Sequence, residues 1–169
     1  MSALGSLLTC DSKSDMEERL RLDSCALLIG GDAQSPRGFY VLAPEPNEPT
    51  RVGLCVSSQT PQPQAVSFGA VVLIGHDQSL TWVDVKVAQV TARHHLEGVF
   101  YDFVQLGDLE ILVIHELGAL KVRVDGTVCW TVPTSDVVVG FHVEDGQVLT
   151  IDITDCAPVR VSLANGRRV

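Results

Sequence analysis

The chain has 169 residues, 46% of them hydrophobic, and a mean hydropathy of +0.23, which rules out wholesale disorder and gives enough chain to bury a core without disulfides or a structural metal. Twenty-one acidic against 12 basic residues leave a net charge of −9, which argues against a grip on nucleic-acid backbones, since that needs clustered Lys and Arg. The five cysteines (Cys10, Cys25, Cys55, Cys129, Cys156) are odd in number and form no C-x-x-C pair, so free thiols in a reducing cytoplasm are expected rather than a disulfide framework.

In chain order, residues 1–10 have no basic stretch and too short an apolar run for a secretory signal. Leu7-Leu8-Thr9-Cys10 is spaced like a lipoprotein cleavage box but lacks the upstream features of one. Residues 14–22 predict one short helix, with Ser14 and Glu17 spaced as a capping box and Met16 and Leu20 forming a narrow apolar edge. From residue 24 onward the pattern becomes short, Val-rich apolar runs separated by turn residues. Strands are predicted over 25–29, 38–42, 51–57, 70–74, 80–90, 99–106, 109–115, 119–124, 127–132, 137–143, 148–154 and 159–163.

The proline clusters Pro44, Pro46, Pro49 and Pro61, Pro63 should break the sheet into surface loops at 43–50 and 59–65. Alternation is cleanest in Leu120-Lys121-Val122-Arg123-Val124 and Val159-Arg160-Val161-Ser162-Leu163, and Asp125-Gly126, Asp145-Gly146 and Asn165-Gly166 mark tight hairpins. The fold expected is all-β: an antiparallel β-sandwich of two packed sheets, or a barrel-like meander, with one short N-terminal helix. It forms a single domain over 1–169, divided into a helical segment (1–23), proline-interrupted strands (24–98) and an antiparallel meander (99–169).

Sliding the chain on itself by 39 residues places Val99, Val104, Gly107 and Val122 on Val138, Val143, Gly146 and Val161, which suggests an internal repeat in the meander. Asp125-Gly-Thr-Val-Cys-Trp130 resembles a strand of a β-propeller blade. The N-terminal half shows no third copy in register, and 169 residues fall short of a typical ring of blades of about 40 residues each.

No phosphate-binding loop, dinucleotide fingerprint or G-x-S-x-G elbow occurs. His115-Glu116 opens like a zinc-protease motif but runs into Leu117-Gly118-Ala119 without the second histidine. His94-His95, placed in a loop over 93–98, is the one concentrated candidate metal site, with a third ligand to come from His76, Asp77 or His142. Trp82, Tyr101 and Trp130 are the candidate ligand-binding aromatics. Asp102 and Asp152 interrupt apolar strands and read as the wet side of a sheet.

With no catalytic signature and no cofactor motif, the function expected is a soluble, non-enzymatic protein-interaction module of adaptor, inhibitor or immunity type, meeting a basic partner protein through an acidic face. Neither nucleic acid nor membrane is expected as a partner. The alternatives are a small-ligand or carbohydrate-binding β domain walled by Trp82, Tyr101 or Trp130, and a metal-dependent hydrolase using His94 and His95.

Overall fold

The computed structural model describes residues 4–5, 7–21, 25–30, 35–42, 50–58 and 60–169. The elements are β1 (Leu4–Gly5), β2 (Leu7–Cys10), α1 (Lys13–Arg21), β3 (Cys25–Ile29), β4 (Gly38–Leu42), β5 (Thr50–Val56), β6 (Gln64–Phe68), β7 (Val71–His76), β8 (Ser79–Asp84), β9 (Gln89–His95), β10 (Phe100–Gln105), β11 (Glu110–His115), β12 (Gly118–Arg123), β13 (Val128–Pro133), β14 (Val138–Glu144), β15 (Val148–Ile153) and β16 (Val159–Ser162). The class is all-β with one helix, as the Val-rich runs predict. The strands are shared among four small sheets rather than two large ones: β2-β4-β5-β3, β1-β6-β7-β8-β9, β10-β11-β12-β13 and β14-β15-β16. All neighbours pair antiparallel except β3, which lies parallel to β5 at the edge of the first sheet.

Apart from β1, which joins the second sheet, the sheets follow one another in the chain and pack face to face. Val72, Ile74 and Val83 of the second sheet meet Leu42, Val52 and Leu54 of the first. Leu73, Leu80 and Trp82, on its other face, meet Ile111, Val113 and Leu120 of the third, whose Leu112, Ile114 and Ala119 in turn meet Leu149, Ile151 and Val161 of the fourth. A strand covered on both faces has no polar side to display, so β7 and β11 read as continuous apolar runs instead of alternating ones.

One end of the stack is capped. Helix α1 lays Met16 and Leu20 against Cys10, Val41 and Cys55 on the outer face of the first sheet. A Cβ on Gly53 would stand 2.6 Å from Leu20 and 3.3 Å from the Met16 sulfur, so glycine there gives the helix its seat. At the other end the outer face of the fourth sheet is polar: Glu144 accepts hydrogen bonds from Thr150 Oγ1 and Arg160, each 2.6 Å long.

Several sequence expectations are corrected. The helix is capped two residues earlier than the spacing of Ser14 and Glu17 implies: Ser12 Oγ accepts from the Asp15 amide, and the Asp15 carboxylate reaches back to the Asp11 amide, each at 3.1 Å. Cys10 lies buried in β2. The single strand expected over 80–90 is two, because the Asp84 carboxylate accepts from the Lys86 and Val87 amides and turns the chain. The loop expected over 59–65 gives way to β6 at Gln64, whereas Pro44, Pro46 and Pro49 lie outside the described residues.

A third copy in register does exist. Val71, Ser79 and Gln89 open β7, β8 and β9, and 39 residues on Glu110, Gly118 and Val128 open β11, β12 and β13. From the third sheet to the fourth the step is 38 residues for β11 onto β15 and 39 for β12 onto β16, judged by which residues face the preceding sheet. The 39-residue slide therefore matches Leu112 with Ile151, which face each other across one core. A one-residue slip moves every side chain to the opposite face.

Candidate functional site

The connections between sheets and the β7–β8, β11–β12 and β15–β16 turns all gather at one rim, and backbone hydrogen bonds stitch them together. The Phe100 amide donates to Asp77 O at 2.6 Å, Glu116 N to Val99 O and Val138 N to Glu116 O at 2.8 Å, and Thr154 N to Val137 O at 3.0 Å. Two carboxylates reinforce the seam. Asp77 accepts from the Ser57 amide at 2.9 Å and the Ser58 amide at 3.1 Å, and Glu116 accepts from the Val99 amide at 3.3 Å. Burial works to raise the Asp77 carboxyl, but hydrogen bonds from His76 and the Ser57 and Ser58 amides outweigh it and hold the group below the usual aspartate range.

Equivalent positions on this rim carry equivalent chemistry. His76-Asp77 recurs 39 residues on as His115-Glu116, and Thr154-Asp155 follows at the same place. Asp77 and Asp155 both take the left-handed conformation, with φ of 45° and 52°. A search at the 39-residue step for repeated polar pairs, rather than repeated Val, would have found the motif. With Glu97 and Asp136 in the intervening connections, the carboxylates Asp77, Glu97, Glu116, Asp136 and Asp155 line the rim among the described residues. Lys86, Arg123, Arg167 and Arg168 belong to the opposite rim.

The two buried histidines differ. His76 Nδ1 lies 3.5 Å from Asp77 Oδ2, and its Nε2 is buried without a partner. His115 is 2% exposed and its Nδ1 accepts from the Leu117 amide. Burial lowers the His115 pKa; Glu97 opposes this, His94 adds to it, and the net direction is down. A histidine neutral when folded but protonated when unfolded loses stability for the fold as pH drops below its unfolded value of about 6.5. His115→Asn, which keeps an acceptor near the Leu117 amide, is expected to flatten the decline in urea-unfolding free energy on acidification from neutral pH. An unchanged slope would remove His115 from the acid response.

The predicted site residues do not come together. Trp82 is 1% exposed, between the second and third sheets, with its indole N–H donating to Arg123 O at 3.1 Å. Its equivalent one repeat on is Lys121, which makes the corresponding crossing from the third sheet to the fourth by donating to Leu163 O at 3.2 Å and pairing with Glu110 at 2.8 Å. Trp130 also donates to Leu163 O. Tyr101 and Trp130, both half-buried, stand on β10 and β13, the two edge strands of the third sheet. The three rings thus form no common wall.

His94 and His95 lie in β9 and not in a loop, opposite Leu80 and Ser79 respectively. Adjacent strand residues point to opposite faces, so the pair cannot converge on one ion. Among the described residues no group of three or more His, Cys, Asp or Glu is arranged to hold a metal. Asp102 and Asp152 are half-buried, each beside a bulge. No described helix is long and apolar enough to cross a membrane.

No protein-family model and no curated protein matches the chain. Among solved structures it is similar to BamB from Moraxella catarrhalis, a β-propeller-like protein, with a TM-score of 0.51 at 14% identity. The match covers the whole of this chain and 50% of that one, so the chain spans about half the length of its structural neighbour. What the two share is a fold of consecutive small antiparallel sheets, the arrangement in which propeller blades are built.

Proposed function

We propose that this chain is a non-enzymatic protein-interaction module whose carboxylate-lined rim receives a basic segment of a partner protein. The observation that carries the reading is the rim itself: carboxylates from successive inter-sheet junctions stand along one edge of a stack held by a continuous hydrogen-bonded seam. A rigid row of like charge attracts a cationic partner and speeds its docking. The proposal places the chain in the cytoplasm, where the exposed thiols of Cys129 and Cys156 remain reduced.

The test neutralises the rim without disturbing its seam. Glu97→Gln, Asp136→Asn and Asp155→Asn are combined, Asn being tolerated at the left-handed Asp155 position. The triple variant is expected to unfold at the same urea concentration as the parent. It should lose at least about tenfold in affinity for a partner captured from the native host, and most of the salt dependence of binding. Undiminished, salt-insensitive capture by the triple variant would overturn the proposal.

A further inference from the structure

Where the edge of the first sheet approaches the second, a cleft of about 430 Å³ opens, with Ile29 and Gly30 on one wall and His76, Ser79, Thr81 and Arg93 on the other. The register sets the polar wall: His76 pairs with Ser79, and Thr81 with Arg93, across β7, β8 and β9. One repeat on, the positions of Ser79 and Thr81 hold Gly118 and Leu120, and Leu120 is packed in the core between the second and third sheets. The corresponding junction therefore has neither hydroxyl and packs Leu120 in their place, whereas here it is open and polar. Another cleft, about 460 Å³ between the third and fourth sheets, has its charged groups Lys121 and Glu110 already paired.

In the polar cleft two groups, His76 Nε2 and the Arg93 guanidinium, make no hydrogen bond or ion pair with the described residues. His76 lines the cleft at 8% exposure, and its buried Nε2 makes no hydrogen bond. The facing Asp77 carboxylate places the imidazole proton on Nδ1, which leaves Nε2 as an acceptor in need of a donor. Arg93 is exposed at the mouth, and no hydrogen bond or ion pair is recorded for it among the described residues. Strands β7 and β9 are two strand spacings apart, about 10 Å, and both His76 and Arg93 line the cleft.

We propose that this cleft binds a small hydroxy- or amino-carboxylate, its hydroxyl or amine donating to His76 Nε2 and its carboxylate paired with Arg93. The hydroxyls of Ser79 and Thr81 lie between these two anchors, and Ile29 supplies apolar cover.

The experiment uses the full chain with ¹⁵N-labelled histidine, titrated with L-malate, with L-serine, and with succinate, which has malate's skeleton without the hydroxyl. Malate or serine is expected to move the His76 Nε2 resonance while leaving His115 in place. Succinate should bind about tenfold or more weaker than malate, and Arg93→Gln, a change at an exposed side chain, should weaken malate to a similar degree. The proposal is overturned if neither malate nor serine moves His76 at millimolar concentration, if His115 moves equally, if succinate matches malate, or if Arg93→Gln leaves affinity unchanged.

Discussion

Trp82→Ala is expected to cost about 3–5 kcal/mol of unfolding free energy, read as a fall in the urea midpoint, because it empties the largest enclosed volume between the second and third sheets. It also strips the Arg123 carbonyl of its indole donor, so a cavity and a lost inter-sheet hydrogen bond arise together. Trp82→Phe should lie between, since it keeps most of the ring volume and loses only the N–H. Trp130→Ala should cost much less. That ring is half-buried, and its acceptor, Leu163 O, keeps Lys121 as a donor. Comparable losses at Trp82 and Trp130 would mean that the inter-sheet core is not what holds the stack.

The second large effect is expected at Gly118, which opens β12 with φ +148°, a conformation that side-chain-bearing residues rarely adopt. A Cβ there would stand 2.3 Å from the Val132 carbonyl oxygen and 3.1 Å from the Pro133 Cα, both backbone atoms of the paired strand β13. Neither can swing aside as a side chain would. Gly118→Ala should therefore destabilise by at least about 2 kcal/mol and release the Val132 end of β13, with faster amide exchange there than at Val128 as the local sign. The same substitution at Gly107, where a Cβ meets nothing within 4 Å, is the control and should be nearly silent.

How much of this was legible varies along the chain. The C-terminal strands stood out because the fourth sheet is covered on one face only, so Val159, Val161 and Leu163 alternate with Arg160, Ser162 and Ala164. The break within 80–90 was hidden, since Val83, Val85 and Val87 continue the alternation straight through a turn made by the Asp84 side chain. His94 and His95 looked like a loop because adjacent polar residues fit no one-sided strand, yet β9 is an edge strand wet on alternate positions. Identity does not reveal exposure: of the candidate ligand aromatics Trp82 is buried in the core, while Tyr101 and Trp130 are half-buried on the two edge strands of the third sheet.

The amino-acid sequence by itself determined that the chain is all-β with one short helix and where most of its hairpins turn, and it suggested a 39-residue repeat within the C-terminal meander. Each of these rests on local periodicity and turn chemistry, which a linear string records. Only the tertiary structure decided that the strands divide into four stacked sheets, that the repeat begins in the proline-rich half, and that His76-Asp77 and His115-Glu116 occupy matching corners of one rim. Those facts depend on which face of each strand meets which neighbour. A doubly covered strand such as Val71–His76 erases the alternation that would have announced it.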